Sequence, residues 1–148
     1  MSIVGAWLVS HRLGEKPEPL SRDNINPLAA DAVAVFGADG LLTVSVAPAY
    51  PVPDQAIHAT QLLVGAGAGA WVAAGDGRIT ARCAAVVRNE RGFAVATLFL
   101  DAEIDLDTGT DTFSGAYTIE PHLKRTWVRN LPNLDGSVQG WRVAPPTT

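Results

Sequence analysis

Cysteine is nearly absent from this chain: Cys83 stands alone among 148 residues, so no disulfide can form within it. Long apolar runs are missing too, and none approaches the ~18 consecutive apolar residues of a membrane-spanning helix. The opening Met1-Ser2-Ile3-Val4-Gly5 lacks a basic segment followed by an apolar one, so no secretory signal is read there. With the lone thiol, this makes the cytoplasm the expected location. Basic clusters are scarce. The net charge is -4, and Arg82, Arg88 and Arg91 are interrupted by Glu90, as on a solvated strand face, so nucleic acid is not an expected partner. Catalytic signatures are lacking as well: no Gly-x-Ser-x-Gly, no phosphate-binding glycine loop, no His-Glu-x-x-His and no cysteine pair for zinc. His11, His58 and His122 are too dispersed to show metal-ligand spacing, and no metal is expected.

What is present is a β-meander. From Gly69 to Tyr117 the chain reads as four strands parted by Gly75-Asp76-Gly77, Asn89-Glu90-Arg91-Gly92 and Asp107-Thr108-Gly109-Thr110. Alternation assigns the faces. Ile79, Ala81, Cys83, Ala85 and Val87 share one side, with Thr80, Arg82 and Arg88 opposite. On the next strand Ala96, Leu98, Leu100, Ala102 and Ile104 oppose Thr97, Asp101, Glu103 and Asp105. A one-residue slip would bury three carboxylates, so the register is strongly specified. With 47% hydrophobic residues in 148, the chain has enough for one core, giving a single domain over 1–148.

Elsewhere the pattern is punctuated. Residues 13–30 carry three prolines and few large apolar side chains, which predicts a long surface loop that could act as a lid or merely cross the barrel mouth. Ala32 to Phe36 and Leu41 to Ala47 form a hairpin about Gly37-Ala38-Asp39-Gly40, with Leu42, Val44 and Val46 turned inward. After Pro48 to Pro53, Asp54 is an N-cap and residues 54–64 have the spacing of a short helix, followed by a jointed Gly65-Ala66-Gly67-Ala68-Gly69 tract. Pro121 implies a bulge or a sheet edge. Leu131 to Gly136 reads as a turn, Val138 to Ala144 as the last strand, and residues 145–148 as a loose tail. Closing that last strand beside Ile3 to Arg12 predicts an all-β, closed or nearly closed antiparallel up-and-down barrel of eight to nine strands with one short helix.

The Gly5-Ala6-Trp7 opening resembles the Gly-x-Trp start of lipocalins and other calycin barrels, and Gly140-Trp141-Arg142-Val143 resembles their last strand. Phe36 to Leu41, Gly69-Ala70-Trp71 and Phe113 to Tyr117 extend the likeness, to small bacterial lipocalin-like proteins, over most of the chain. The resemblance implies that Arg142 packs across Trp7 and closes the barrel bottom. The chain departs from two neighbours of that superfamily: it lacks the glycine-repeat first strand of nitrobindin-type haem barrels and the repeated tryptophans of avidins. Haem and biotin are therefore disfavoured, and no cofactor is expected.

Small inward residues, Ala81, Ala85, Ala94, Ala96 and Ala102, leave space inside a barrel of this size, and apolar walls around space predict a ligand pocket. The candidate ligand-binding residues are Trp7, Val9, His11, Val44, Trp71, Cys83, Leu98, Phe113, Tyr117 and Trp127. His11 and Tyr117 are the candidate catalytic pair, since an inward histidine could orient a ligand carbonyl or move a proton near neutral pH. A structural histidine bonded to a carbonyl or to Tyr117 is the plainer alternative. Two functions fit: binding of a small hydrophobic molecule inside the barrel, and a cofactor-independent cyclase or isomerase that folds a polyketide-like substrate. The second rests on the resemblance, because bacterial calycin-like barrels include cyclases. An interaction module without a cavity is a third reading, and the sequence leaves a homodimer open.

Overall fold

The computed structural model describes residues 2–14, 30–45, 62–123 and 133–146. They build one antiparallel sheet from nine segments: β1 (Gly5–Leu13), β2 (Ala32–Phe36), β3 (Leu41–Val44), β4 (Leu62–Val64), β5 (Gly67–Gly75), β6 (Arg78–Asn89), β7 (Ala94–Asp107), β8 (Thr112–Leu123) and β9 (Leu134–Arg142). β4 and β5 both lie along β6, pairing with its far and near ends, so the two are one barrel position broken at Gly65-Ala66. Every other strand pairs with its chain neighbours, and β9 returns to β1 through Trp7↔Arg142 to Leu13↔Gly136. The result is a closed eight-stranded up-and-down barrel. No helix among the described residues is long and apolar enough to cross a membrane.

The expected turns close the hairpins by identifiable chemistry. Asp76 and Gly77 both have positive φ, 55° and 77°, which is the two-residue turn whose twist matches the flanking strands β5 and β6. The Asn89 side-chain oxygen accepts from the backbone N–H of Arg91 and of Phe93, each at 3.0 Å, and the Asp107 carboxylate does the same for Gly109 at 2.9 Å.

Alternation then decides inside from outside. On β6 buried and exposed residues alternate, with Ile79, Ala81, Cys83, Ala85 and Val87 all 4% exposed or less. Outside, the register sets Arg82 opposite Asp101 and Arg78 opposite Asp105, and the ion pairs that result, at 2.9 and 3.5 Å, are exposed and worth little individually. Phe99 also points outward, under the Arg82 guanidinium and against His122, while its neighbour Leu98 is buried inside.

Two expectations are corrected. Leu62 to Val64, expected as the end of a helix over 54–64, form the strand β4, because their backbone groups are taken by Val87 to Asn89 of β6. The rest of that expected helix lies outside the described residues. Leu134-Asp135-Gly136, read as part of a turn, belong to β9. Gly136 is there for close approach and not for turning: a Cβ on it would run into the Tyr117 ring, which lies across it from the neighbouring strand. Asp135, beside it, accepts a hydrogen bond from the Thr118 hydroxyl at 2.8 Å across the same pair. Pro121 sits past Ile119, the last β8 residue paired with β9, and among the described residues it pairs only with β7. Most of the 13–30 loop lies outside the described residues.

Candidate functional site

One end of the barrel is sealed by aromatic packing. Trp7 on β1 is fully buried, and its ring lies 5.1 Å from Phe113 of β8, centroid to centroid. Phe113 meets Phe36 of β2 at 6.2 Å, and Phe36 meets Trp71 of β5 at 6.1 Å, so edge-on contacts run from wall to wall. Beneath them Arg142 of β9 lies over the Trp7 ring at 4.3 Å, the contact that the lipocalin resemblance implies. Its guanidinium also donates to Val4 O at 2.9 Å, to Ser2 O and to Asp111 Oδ1 at 2.6 Å. The indole N–H groups are satisfied as well, Trp7 by Ile3 O at 2.8 Å and Trp71 by Gly37 O at 2.9 Å. Each polar atom named in this seal has a partner.

Above the seal the side chains shrink and a cavity opens. Phe36 and Phe113 form its lower surface. One wall is made by Val9 and His11 of β1 with Ala32 and Ala34 of β2, and continues through Leu42 and Val44 of β3. The facing wall carries Ala81 and Cys83 of β6 and Leu100, Ala102 and Ile104 of β7, and Tyr117 of β8 with Val138 of β9 completes the ring. The void encloses about 630 Å³ with its mouth included, of which about 70 Å³ can hold the centre of a water molecule. At ~10–15 Å³ per water on that measure, this is room for a small ring or for one end of a longer molecule. The space exists because alanine stands where larger residues would meet: register pairs Ala81 with Ala102, and Ala102 with Tyr117.

The polar side chains on this lining are His11 and Tyr117, whose rings meet edge-on at 6.2 Å. His11 Nδ1 lies 2.8 Å from Asp31 Oδ2. A carboxylate only accepts, so Nδ1–H donates to Asp31, and in the neutral ring the lone pair is left on Nε2. Asp31 is placed by the hairpin itself: its backbone N–H bonds Val9 O at 2.9 Å, one residue before the β1–β2 ladder begins at Val9↔Ala32. The Tyr117 hydroxyl is buried with no hydrogen-bond partner among the described residues. An orphaned group of this kind costs about 1–3 kcal/mol relative to a satisfied one. Burial pushes its pKa up to about 12, and the Asp31 carboxylate pushes the same way, so at neutral pH it is a phenol. Cys83 is raised to about 11 by burial and, less, by Asp101, which keeps it a neutral thiol in the wall at neutral pH. Among the described residues no cluster of three metal-ligating side chains occurs.

Of the residues singled out in the sequence, Val9, His11, Val44, Cys83, Phe113 and Tyr117 line the cavity together. Trp7 and Trp71 belong to the seal and are not on the lining, because Phe113 and Phe36 lie between them and the space. Leu98 faces inward but is packed in a second buried cluster with Val87, Ala96 and Ile119. Trp127 lies outside the described residues. Asp31, the partner of His11, was not read from the sequence. Its signal was its place just before a strand whose pairing with β1 follows from the barrel closure. Comparison with protein-family models, curated proteins and solved structures finds no match to this chain.

Proposed function

We propose that this chain is a lipocalin-like, calycin-type barrel that binds a small hydrophobic molecule in the cavity above the Trp7–Arg142 seal. The observation that carries this reading is the alanine-lined void between well-packed layers. Interiors of this kind normally fill to close packing, and a dry apolar space of this shape favours an apolar occupant over water. Burial at roughly 25 cal/mol per Å² supplies the affinity, with His11 and Tyr117 orienting the ligand. A cytoplasmic setting belongs to the same reading, on the single buried thiol.

The His11–Asp31 pair favours a second reading, a cofactor-independent cyclase or isomerase. Asp31 holds the imidazole in the tautomer whose Nε2 can take a proton, and the phenol of Tyr117 stands beside it as a donor. Native mass spectrometry of protein purified from its own host, with extraction of whatever is bound, tests both. One apolar molecule per chain supports the container, and a pair of related molecules differing by a ring or a double-bond position supports the enzyme. A protein that is empty and takes up no apolar probe would remove both readings.

A further inference from the structure

The cavity is bounded above as well as below. Val87 of β6, Leu98 of β7 and Ile119 of β8 are 2% exposed or less, and they pack in a second cluster that Leu13 of β1, Val64 of β4 and Leu134 of β9 join from the other strands. Tyr117 belongs both to that cluster and to the cavity lining, so its ring is the boundary between them. Its neighbours hold it there. Tyr117 pairs with Gly136 of β9, where a Cβ would strike the ring, and Gly136 pairs in turn with Leu13 of β1. The edge-on contact with His11, 6.2 Å between centroids, carries the ring as far as β1. A flat side chain rooted on β8 thus crosses β9 and forms a shelf above the cavity, opposite the lower surface of Phe36 and Phe113. The space so bounded is small. Its 70 Å³ open to the centre of a water molecule corresponds to about five to seven waters, or about 150–200 Å³ of liquid, which a single ring with a short side chain fills.

We infer that Tyr117 is the specificity-determining residue of this cavity: its ring sets the depth, so that the site takes a compact apolar molecule, one ring or a short chain, and gains nothing from a longer chain. This rests on the container reading above. Methylenes beyond the capacity of the cavity have two places to go. They either push into the packed layer of Val87, Leu98 and Ile119, which overpacks it, or stay outside the mouth in water, where they add no burial.

Calorimetric titration of the straight-chain primary alcohols pentanol, heptanol, nonanol and undecanol tests this. Each fully buried methylene tightens binding about threefold to fourfold. Affinity should climb at that rate from pentanol to heptanol and then level. Heptanol and undecanol should differ by less than about threefold, where continued burial would give about a hundredfold. Tyr117→Leu keeps an apolar side chain and removes the shelf. It should still bind pentanol and should let the climb resume, with undecanol at least about tenfold tighter than heptanol. A steady climb through undecanol in the wild type, or the same levelling in Tyr117→Leu, would overturn the inference while leaving the container standing. Nuclear Overhauser contacts of heptanol bound to the wild type should reach the rings of Tyr117 and Phe113 and not the methyls of Val87 and Ile119 behind the shelf. Contacts to those methyls would overturn the inference too, and this measurement decides if the variant does not fold. If none of the alcohols binds, the container itself fails and the inference falls with it.

Discussion

The two halves of this barrel interior obey the same alternation and have opposite consequences. Around the seal the inward positions are Trp7, Phe36, Trp71 and Phe113, and the two indoles among them and the Arg142 guanidinium are satisfied, while the indole N–H of the neighbouring Trp141 is buried with no partner among the described residues. One layer higher the inward positions are Ala32, Ala34, Ala81 and Ala102, a cavity opens between them, and a tyrosine hydroxyl has no partner among the described residues. Side-chain volume makes the difference, since strand geometry is shared. The packed half gives the fold its closure, and the open half is the proposed binding space.

Substitutions should separate the halves. Trp7→Ala should be the most damaging, about 3–5 kcal/mol by denaturant unfolding, since it removes the largest fully buried side chain and the platform under Arg142. Arg142→Met, which keeps bulk but loses the charge-assisted bonds to Val4, Ser2 and Asp111, should cost about 2–3 kcal/mol. Neither change touches the cavity lining, so ligand affinity of the folded fraction should persist. Ala102→Leu should do the reverse: it fills the void, so binding should be lost while stability moves by about 1 kcal/mol or less.

Alkaline pH probes the open half specifically. Cys83 is raised from an ordinary 9.0 to about 11 and Tyr117 from 10.0 to about 12. Both neutral forms are favoured by the fold, so their contribution is fully present below pH 9. It is lost as the unfolded chain begins to release these protons first, and it is gone once pH has passed about 12. Melting temperature should therefore fall between pH 9 and 12. Cys83→Ala should flatten the lower part of that fall and Tyr117→Phe the upper part. The smallest effect is expected from Asp31→Asn, about 1 kcal/mol or less in stability because the carboxylate is half exposed.

The meander and its sidedness were legible because charge marks one face of β6 and β7 so consistently. Arg82 opposite Asp101 leaves no other register. Of the five alanines read as inward, Ala81 and Ala102 line the cavity, while Ala85, Ala94 and Ala96 do not, because alternation gives a side and not a depth. Glycines were harder. Gly136 looked like a turn residue beside Pro132, Asn133 and Asp135, whereas its actual duty, making room for the Tyr117 ring, depends on a strand neighbour nineteen positions away. Trp7 and Trp71 were placed on the correct face but assigned to the ligand, because alternation gives side and not depth. The pairing of His11 with Asp31 needs the β1–β2 ladder before it can be seen.

The central claim, that the open half is a binding space and not an incidental void, is tested most directly by titrating ethylbenzene into the wild type and into Ala102→Leu by calorimetry. The account predicts one saturable site per chain in the wild type and none in the filled variant, with both proteins equally folded. No binding to the wild type, or equal binding to the two, would contradict it.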